Sequence, residues 1–252
     1  MISASGREYR KFSHRGACFT ILTSGAAAEA GYNAAVKEII RQREILSKYI
    51  LEHREFLDSL VPVDIPSGAP EIVRRMHAAS LLTGIGPMAS VAGINAQLAA
   101  EAAAAAGARE AVVENGGDIF MLAENNILTA LYSGGTPLAS SLAFNIKPGE
   151  TPVSVCSSSS RMGHSVSFGD CDLAAAVSAD GALADSAATL ACNLVKSPDD
   201  VQPVLDRIIG IKGIRGLFII KGDKIGMAGM LPELVGNMDS ETESKITKFG
   251  IV

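Results

Sequence analysis

Apolar residues recur along the chain with two different periods, and the changes from one to the other divide it into predicted elements. Between Tyr9 and Thr23, Phe12, Cys18, Phe19, Ile21 and Leu22 flank His14-Arg15-Gly16, the pattern of two short strands around a turn at Arg15-Gly16. From Asn33 to Leu60 the spacing becomes helical. Val36, Ile39, Ile40, Ile45, Leu46, Ile50, Phe56, Leu57 and Leu60 recur with Lys, Arg and Glu between them, predicting one long amphipathic helix stopped by Pro62. The loop from Pro62 to Pro70 resets the chain, and Pro70 suits the first turn of a shorter helix reaching Leu82. A third, Ala-rich helix is predicted from near Pro87 to Ala106. Its Gly93 allows close approach to a neighbour, and Gly107 is placed to leave the helix in a left-handed conformation.

Strand signals then take over. Ala111 to Glu114, Ile119 to Ala123, Ile127 to Tyr132 and Leu142 to Ile146 alternate with Asn-Gly-Gly, Glu-Asn-Asn and Ser-Gly-Gly turns, which predicts an antiparallel meander. Cys156 to Gly169 reads as a Ser- and Gly-rich loop, and Leu173 to Val177 as a further strand. A helix is expected from near Ala182 to about Val195, a second from Pro198 to Ile209, and a hairpin of Gly216–Ile220 and Lys224–Met227 turned by Gly222-Asp223. The segment 233–252 is polar and is expected to be a mobile tail. With no repeat and no linker-like break in composition, residues 1–252 read as a single α/β (α+β) domain, a mainly antiparallel sheet packed with helices.

Composition narrows the class of function. The apolar content, 48%, comes mainly from Ala, Ile, Leu and Val, and no apolar run is long enough to span a bilayer. The first residues lack the apolar stretch of a signal peptide, so a cytoplasmic location without a membrane partner is expected. The formal net charge is −5, and Arg7, Arg10, Lys11 and Arg15 are not continued as a basic face, which disfavours nucleic acid. Cys18, Cys156, Cys171 and Cys192 are widely spaced and form no C-x-x-C pair, arguing against structural zinc and for buried free thiols. A homodimer is expected only on general grounds.

Three motifs concentrate chemistry. In Glu114-Asn115-Gly116-Gly117-Asp118, adjacent glycines can turn the backbone tightly and offer amides to a phosphate or ring edge; Asn-Gly is equally a plain hairpin turn. In Ser157-Ser158-Ser159-Ser160-Arg161-Met162-Gly163-His164, the hydroxyls, with Arg161 as a bidentate clamp and His164 as a titratable donor, could hold phosphate oxygens; a flexible polar loop has the same composition. In Ala184-Asp185-Ser186-Ala187-Ala188-Thr189, Asp185 and Thr189 share a helix face and could both meet a hard cation such as Mg²⁺. Asp185 could instead complement the dipole of its own helix, with Thr189 bonding back to a carbonyl.

Taken together and in this order, the motifs resemble those of the ApbE-type FAD:protein FMN transferases, whose pattern includes Asn-x-Gly-Gly-Asp, a Ser-Gly-rich loop leading to a His, and Ala-Asp-x-x-x-Thr on a helix. The likeness runs from about Gly84 to Val195. Gly16-Ala17-Cys18-Phe19 and Gly84-Ile85-Gly86-Pro87-Met88-Ala89 look still more like the UPF0280 family, an ApbE-like branch. The resemblance implies a T-fold-like architecture, Asp185 and Thr189 as Mg²⁺ ligands, and Asn115, Gly116, Gly117, Asp118, Ser158 and Ser159 as FAD or nucleotide contacts. It also implies Arg161 and His164 as catalytic candidates and a protein acceptor for FMN. Glu114 stands where the transferases carry Asn, and Ser165-Val166-Ser167 follows His164 in place of Ile-Leu-Asp-Pro. A flavin- or nucleotide-binding protein without transfer activity is therefore the alternative expectation. The UPF0280 branch is also associated with sulfide assimilation in anaerobes; that role would need a reactive thiol, and Cys156 beside the Arg161/His164 loop is its candidate.

Overall fold

In the computed structural model, which describes residues 7–131, 141–160 and 169–237, the strands and helices predicted from periodicity form three layers. The central layer is an eight-stranded sheet in which every neighbouring pair is antiparallel. Its order is β1 (Arg7–His14), β2 (Ala17–Ser24), β3 (Ala111–Asn115), β4 (Asp118–Leu122), β7 (Val153–Ser158), β8 (Leu173–Ser178), β9 (Ile214–Lys221) and β10 (Lys224–Gly229). A three-stranded sheet of β11 (Glu233–Gly236), β6 (Leu142–Ile146) and β5 (Ile127–Ala130) forms the second layer. Helices form the third: α1 (Ala28–Glu52), α2 (Arg54–Asp58), α3 (Glu71–Thr83), α4 (Val91–Ala105), α5 (Gly181–Leu194) and α6 (Val201–Ile209). The fold class is the one expected, and none of the described helices is by itself long and apolar enough to cross a membrane.

The period of two along each strand sorts the side chains between two cores. Val113, Phe120, Cys156, Ala174, Ala176, Leu217 and Ile219 point to the helices, among Phe19, Ile39, Ile94 and Leu190. Val112, Met121, Val155, Val177, Phe218 and Ile220 point the other way and pack on Ile127, Phe144 and Ile146 of the small sheet. The near-continuous apolar reading of β8, whose six residues are all buried, follows from having a layer on each face.

Four expectations are corrected. The long helix breaks at His53, whose φ of −127° is not helical, and the break turns Phe56 into the core against the edge of Tyr49 at 5.3 Å. The four middle strands are not one meander: β3 and β4 join the large sheet while β5 and β6 cross to the small one, because Ile127, Phe144 and Ile146 complete the core beneath it. Cys156, Ser157 and Ser158 belong to strand β7, not to a loop. Residues 233–236 of the expected tail are a strand, with Leu234 and Val235 opposite Phe144 and Ala143; residues 238–252 lie outside the described residues.

At one end of the β3–β4 hairpin, Glu110 ties the sheet together. Its carboxylate accepts from Arg7 Nε and Nη2 at 2.9 and 2.8 Å, from Ser24 Oγ at 3.0 Å, and from the amides of Glu124 and Asn125 at 3.1 and 2.9 Å. The Arg7 guanidinium and the other donors outweigh burial and hold the carboxyl down at about 2.

Candidate functional site

The opposite end of the same hairpin is built around a helix crossing. Gly93 of α4 and Gly181 of α5 meet backbone to backbone. A Cβ on Gly93 would lie 2.2 Å from the Gly181 carbonyl oxygen, and one on Gly181 would lie 2.5 Å from that of Gly93. This close approach, foreshadowed by Gly93 in an Ala-rich helix, lets each helix cap the other. The Gly181 amide donates to Gln97 Oε1 at 2.7 Å, and the amides of Ala92 and Gly93 donate to Asp185 Oδ2 at 3.1 and 2.8 Å. Asp180 caps α5 itself by accepting from the Leu183 amide. Asp185 therefore complements the N-terminal dipole of α4 and not that of its own helix.

Asp118 approaches this crossing from the sheet. Gly116 and Gly117, at φ 66° and 103°, form the tight turn that starts β4, and a Cβ on Gly117 would lie 2.9 Å from Ser157 Oγ. The turn is partly self-satisfied, since the Gly117 amide donates to Glu114 Oε1 at 2.9 Å. Asn115 is buried and its Nδ2 donates to the Ala92 carbonyl at 3.4 Å, joining the turn to the start of α4. The Asp118 carboxylate accepts from the Ser157 amide at 3.3 Å, and Asp118 sits opposite Cys156 in the β4–β7 register.

Asp118 and Asp185 are both buried, and their charges interact. Burial raises the Asp118 carboxyl well above the carboxylate range and the nearby Asp185 charge raises it further, against weaker stabilisation by Cys156 and the Ser157 amide. Burial likewise raises Asp185 to about 7 despite its two amide donors. The Cys156 thiol lies between a 3.2 Å contact to Ser154 Oγ and a 3.7 Å donation to the Gly181 carbonyl. Burial first, then Asp118 and Asp185, push it well above the ordinary thiol range. Among the described residues the Cys156 thiol faces the Asp118 and Asp185 carboxylates, which disfavour its thiolate, while the cationic neighbours expected beside it, Arg161 and His164, fall outside those residues.

The other predicted residues divide by position. Thr189 is half-buried one turn beyond Asp185 on the same face of α5, and its hydroxyl makes no hydrogen bond among the described residues, including the expected one back to its helix. Ser158 shares the Cys156 face of β7 and pairs with Ala174, while Ser159 is buried just beyond the strand. Arg161 and His164 lie outside the described residues. The amides of Ala92 and Gly93 and the side chain of Gln97 were not anticipated, because a helix N-terminus carries no residue signature of the side chain that caps it from elsewhere.

The described residues contain no group of three or more His, Cys, Asp or Glu side chains able to enclose a metal. What the site offers is sparser: two buried carboxylates, with Asp185 committing one oxygen to amides, and a neighbouring hydroxyl. That donor set fits Mg²⁺, which is held by one or two carboxylates and completed by water and substrate phosphate.

Comparison with known proteins places this chain among relatives. A family model described as AbpE bacteria matches residues 4–207. A UPF0280 protein of Methanocaldococcus jannaschii is 37% identical over 225 residues, 87% of this chain and 89% of that one. A UPF0280 protein of Methanocella arvoryzae is 37% identical over 243 residues, 96% of each. Among solved structures, the ApbE protein of Thermotoga maritima shares the fold with a TM-score of 0.58 at 11% identity, over 88% of this chain and 97% of that one. The apo flavinyl transferase ApbE of Pseudomonas stutzeri does so with a TM-score of 0.56 at 13% identity, over 88% and 93%.

Proposed function

The chain belongs to the UPF0280 family of ApbE-like proteins, and on that premise we propose that it is a Mg²⁺-dependent enzyme acting on FAD, moving FMN to an acceptor protein or to water. The observation that carries this reading is the buried Asp118/Asp185 pair, two carboxylates whose charges oppose each other beside the amide-rich start of α4. A charge pair left under-compensated at a family motif is what a cation completed by substrate requires.

In this reading Asp185 and Thr189 hold Mg²⁺, which supplies neutralisation of pyrophosphate charge when bound. The two amides on Asp185 Oδ2 fix the orientation of its carboxylate, leaving Oδ1 to face the ligand. Gly116 and Gly117 keep the turn thin enough for a nucleotide to approach Asp118, and Asn115 ties that turn to α4. Ser158 and Ser159 stand at the end of β7 as hydroxyl donors to the ligand, and Arg161 and His164 follow them in sequence as its cationic partners. A thiol-dependent role in sulfide chemistry is not favoured, since Cys156 is fully buried and burial, Asp118 and Asp185 all push its thiol up.

Calorimetric titration of metal-free protein with FAD, with and without Mg²⁺, combined with chromatography for AMP, tests the reading. Mg²⁺-dependent binding that Asp185→Asn abolishes, with AMP released, is the expected result. Binding that ignores both metal and substitution would leave a flavin-binding protein without transfer activity, and no heat under either condition would overturn the assignment.

A further inference from the structure

Six arginines, Arg7, Arg10, Arg41, Arg54, Arg75 and Arg109, each reach a carboxylate. Arg43 does not. It lies on the inner side of α1, its neighbours one turn away are Ile39, Ile40, Leu46 and Ser47, and none is acidic. Its Nη2 donates to the Arg15 carbonyl at 3.0 Å, which holds the guanidinium at the tip of the β1–β2 hairpin, and its Nε is buried with no acceptor. Burial and the charge of Arg15 both work against the ionised guanidinium. A second orphan atom lies at the same tip: His14, stacked with its ring parallel to Phe12, keeps a buried Nε2 without a partner.

The turn itself is unusual. Arg15 and Gly16 have φ of 47° and 77°, a two-residue turn that favours Asn-Gly, so a long cationic side chain is held where the backbone resists it. Strand register also gives the tip a definite place. Thr20 pairs with Glu114, and β2 continues from Thr20 to Ala17 beyond that pair, so the tip lies at the sheet end that carries Gly116, Gly117, Ser157 and Ser158. His14 pairs with Ala17, two residues beyond the Phe12↔Phe19 pair, on the helix-facing side of the sheet, the side of Arg43.

We propose that Arg43, Arg15 and His14 form an oxyanion site for a phosphate-type group, separate from the Asp118/Asp185 centre but at the same end of the sheet. Two neighbouring guanidinium groups with no carboxylate between them among the described residues are reconciled by an anion that bridges them, and phosphate oxygens match the planar fork of arginine. The donor Nε of Arg43 and the ring nitrogen of His14 supply the hydrogen-bonding positions that the protein leaves unfilled.

The test is calorimetric titration of the whole chain with inorganic pyrophosphate at low ionic strength, with chelator present and no flavin. This keeps it independent of the FAD reading: that reading can fail while pyrophosphate binds, and the reverse. Wild type is expected to bind one pyrophosphate and to melt at higher temperature with it. Arg43→Met should weaken binding at least tenfold, with Arg43→Lys recovering part of the loss. Arg15→Gly should weaken it several-fold without lowering the melting temperature, since glycine accepts the turn; this variant keeps the test decisive if Arg43→Met fails to fold. Absence of binding by wild type at millimolar pyrophosphate, or wild-type affinity in Arg15→Gly and Arg43→Met, would overturn the proposal.

Discussion

The two ends of the β3–β4 hairpin each bury carboxylates, and they treat them in opposite ways. Glu110, just before β3, is surrounded by a guanidinium, a hydroxyl and backbone amides, and is held at about 2. Asp118 and Asp185, at the other end, share three backbone amides and the Cys156 thiol, and both are raised, Asp185 to about 7. Burial opposes ionisation at both ends, so the donors decide the direction. A carboxylate saturated by its own chain is a fastener, whereas a pair left short of positive charge is, in the function proposed above, the place where a cation from outside would bind. The same logic, with the sign reversed, singles out Arg43.

The comparison breaks first at Glu110. Glu110→Gln should leave the Arg7 guanidinium without its charge partner and destabilise the fold by about 3–5 kcal/mol, the cost of removing one member of a buried pair; chemical denaturation at neutral pH measures it. A loss under about 1 kcal/mol would show that the clamp is not a fastener.

Acid should act through the same residue. The folded carboxyl of Glu110 lies below its ordinary 4.5, so its contribution is present above pH 4.5 and is lost as pH falls from 4.5 towards 2. The shift corresponds to about 3 kcal/mol. Denaturation curves between pH 5 and 2 should show this slope in the wild type and a shallower one in Glu110→Gln.

The other end should respond with opposite sign. Asp185 is raised from an ordinary 3.8 to about 7, so its contribution is present below pH 3.8 and is lost as pH rises from 3.8 through 7. Metal-free protein should therefore melt at lower temperature at pH 8 than at pH 5. Mg²⁺ at a hundred times its dissociation constant should restore about 2.7 kcal/mol at pH 8. Asp185→Asn, which keeps an oxygen for the Ala92 and Gly93 amides, should stabilise the metal-free protein at pH 8 and abolish the Mg²⁺ effect. A Mg²⁺ effect that survives this substitution would place the cation elsewhere.

The smallest effect concerns the turn between the two ends. Gly117→Ala puts a Cβ at a φ of 103° and 2.9 Å from Ser157 Oγ, and should cost about 1–2 kcal/mol. If the turn serves nucleotide approach, FAD affinity should fall by more than the stability loss accounts for.

Much of this was legible without coordinates. The helical spacing of Ile39, Leu46 and Ile50 and the alternation around Gly222-Asp223 are local patterns, and the elements they predict are present in the fold. Gly93 and Gly107 also announced their roles, one as a close contact and one at φ +96°. The family resemblance singled out Asp118 and Asp185 as separate motifs. It said nothing of their being neighbours, and the dipole reading put Asp185 on the wrong helix, because the helix it caps is set by a crossing of two glycines 88 residues apart in number, Gly93 and Gly181. Cys156 shows the same limit: adjacency in sequence suggested a cationic setting, and only strand pairing reveals that it stands opposite Asp118.

By itself, then, the order of residues determined which segments coil or extend, where glycine permits a tight turn or a close approach, and which family the motifs belong to, since each depends on residues a few positions apart. Only the tertiary structure decided that β5, β6 and β11 form a separate sheet, that Arg7 neutralises Glu110, that Asp118 meets Asp185, and that Arg43 meets no acid among the described residues. Those outcomes depend on which distant segments share a desolvated volume, and a charge changes its meaning there according to the partners that packing brings within reach.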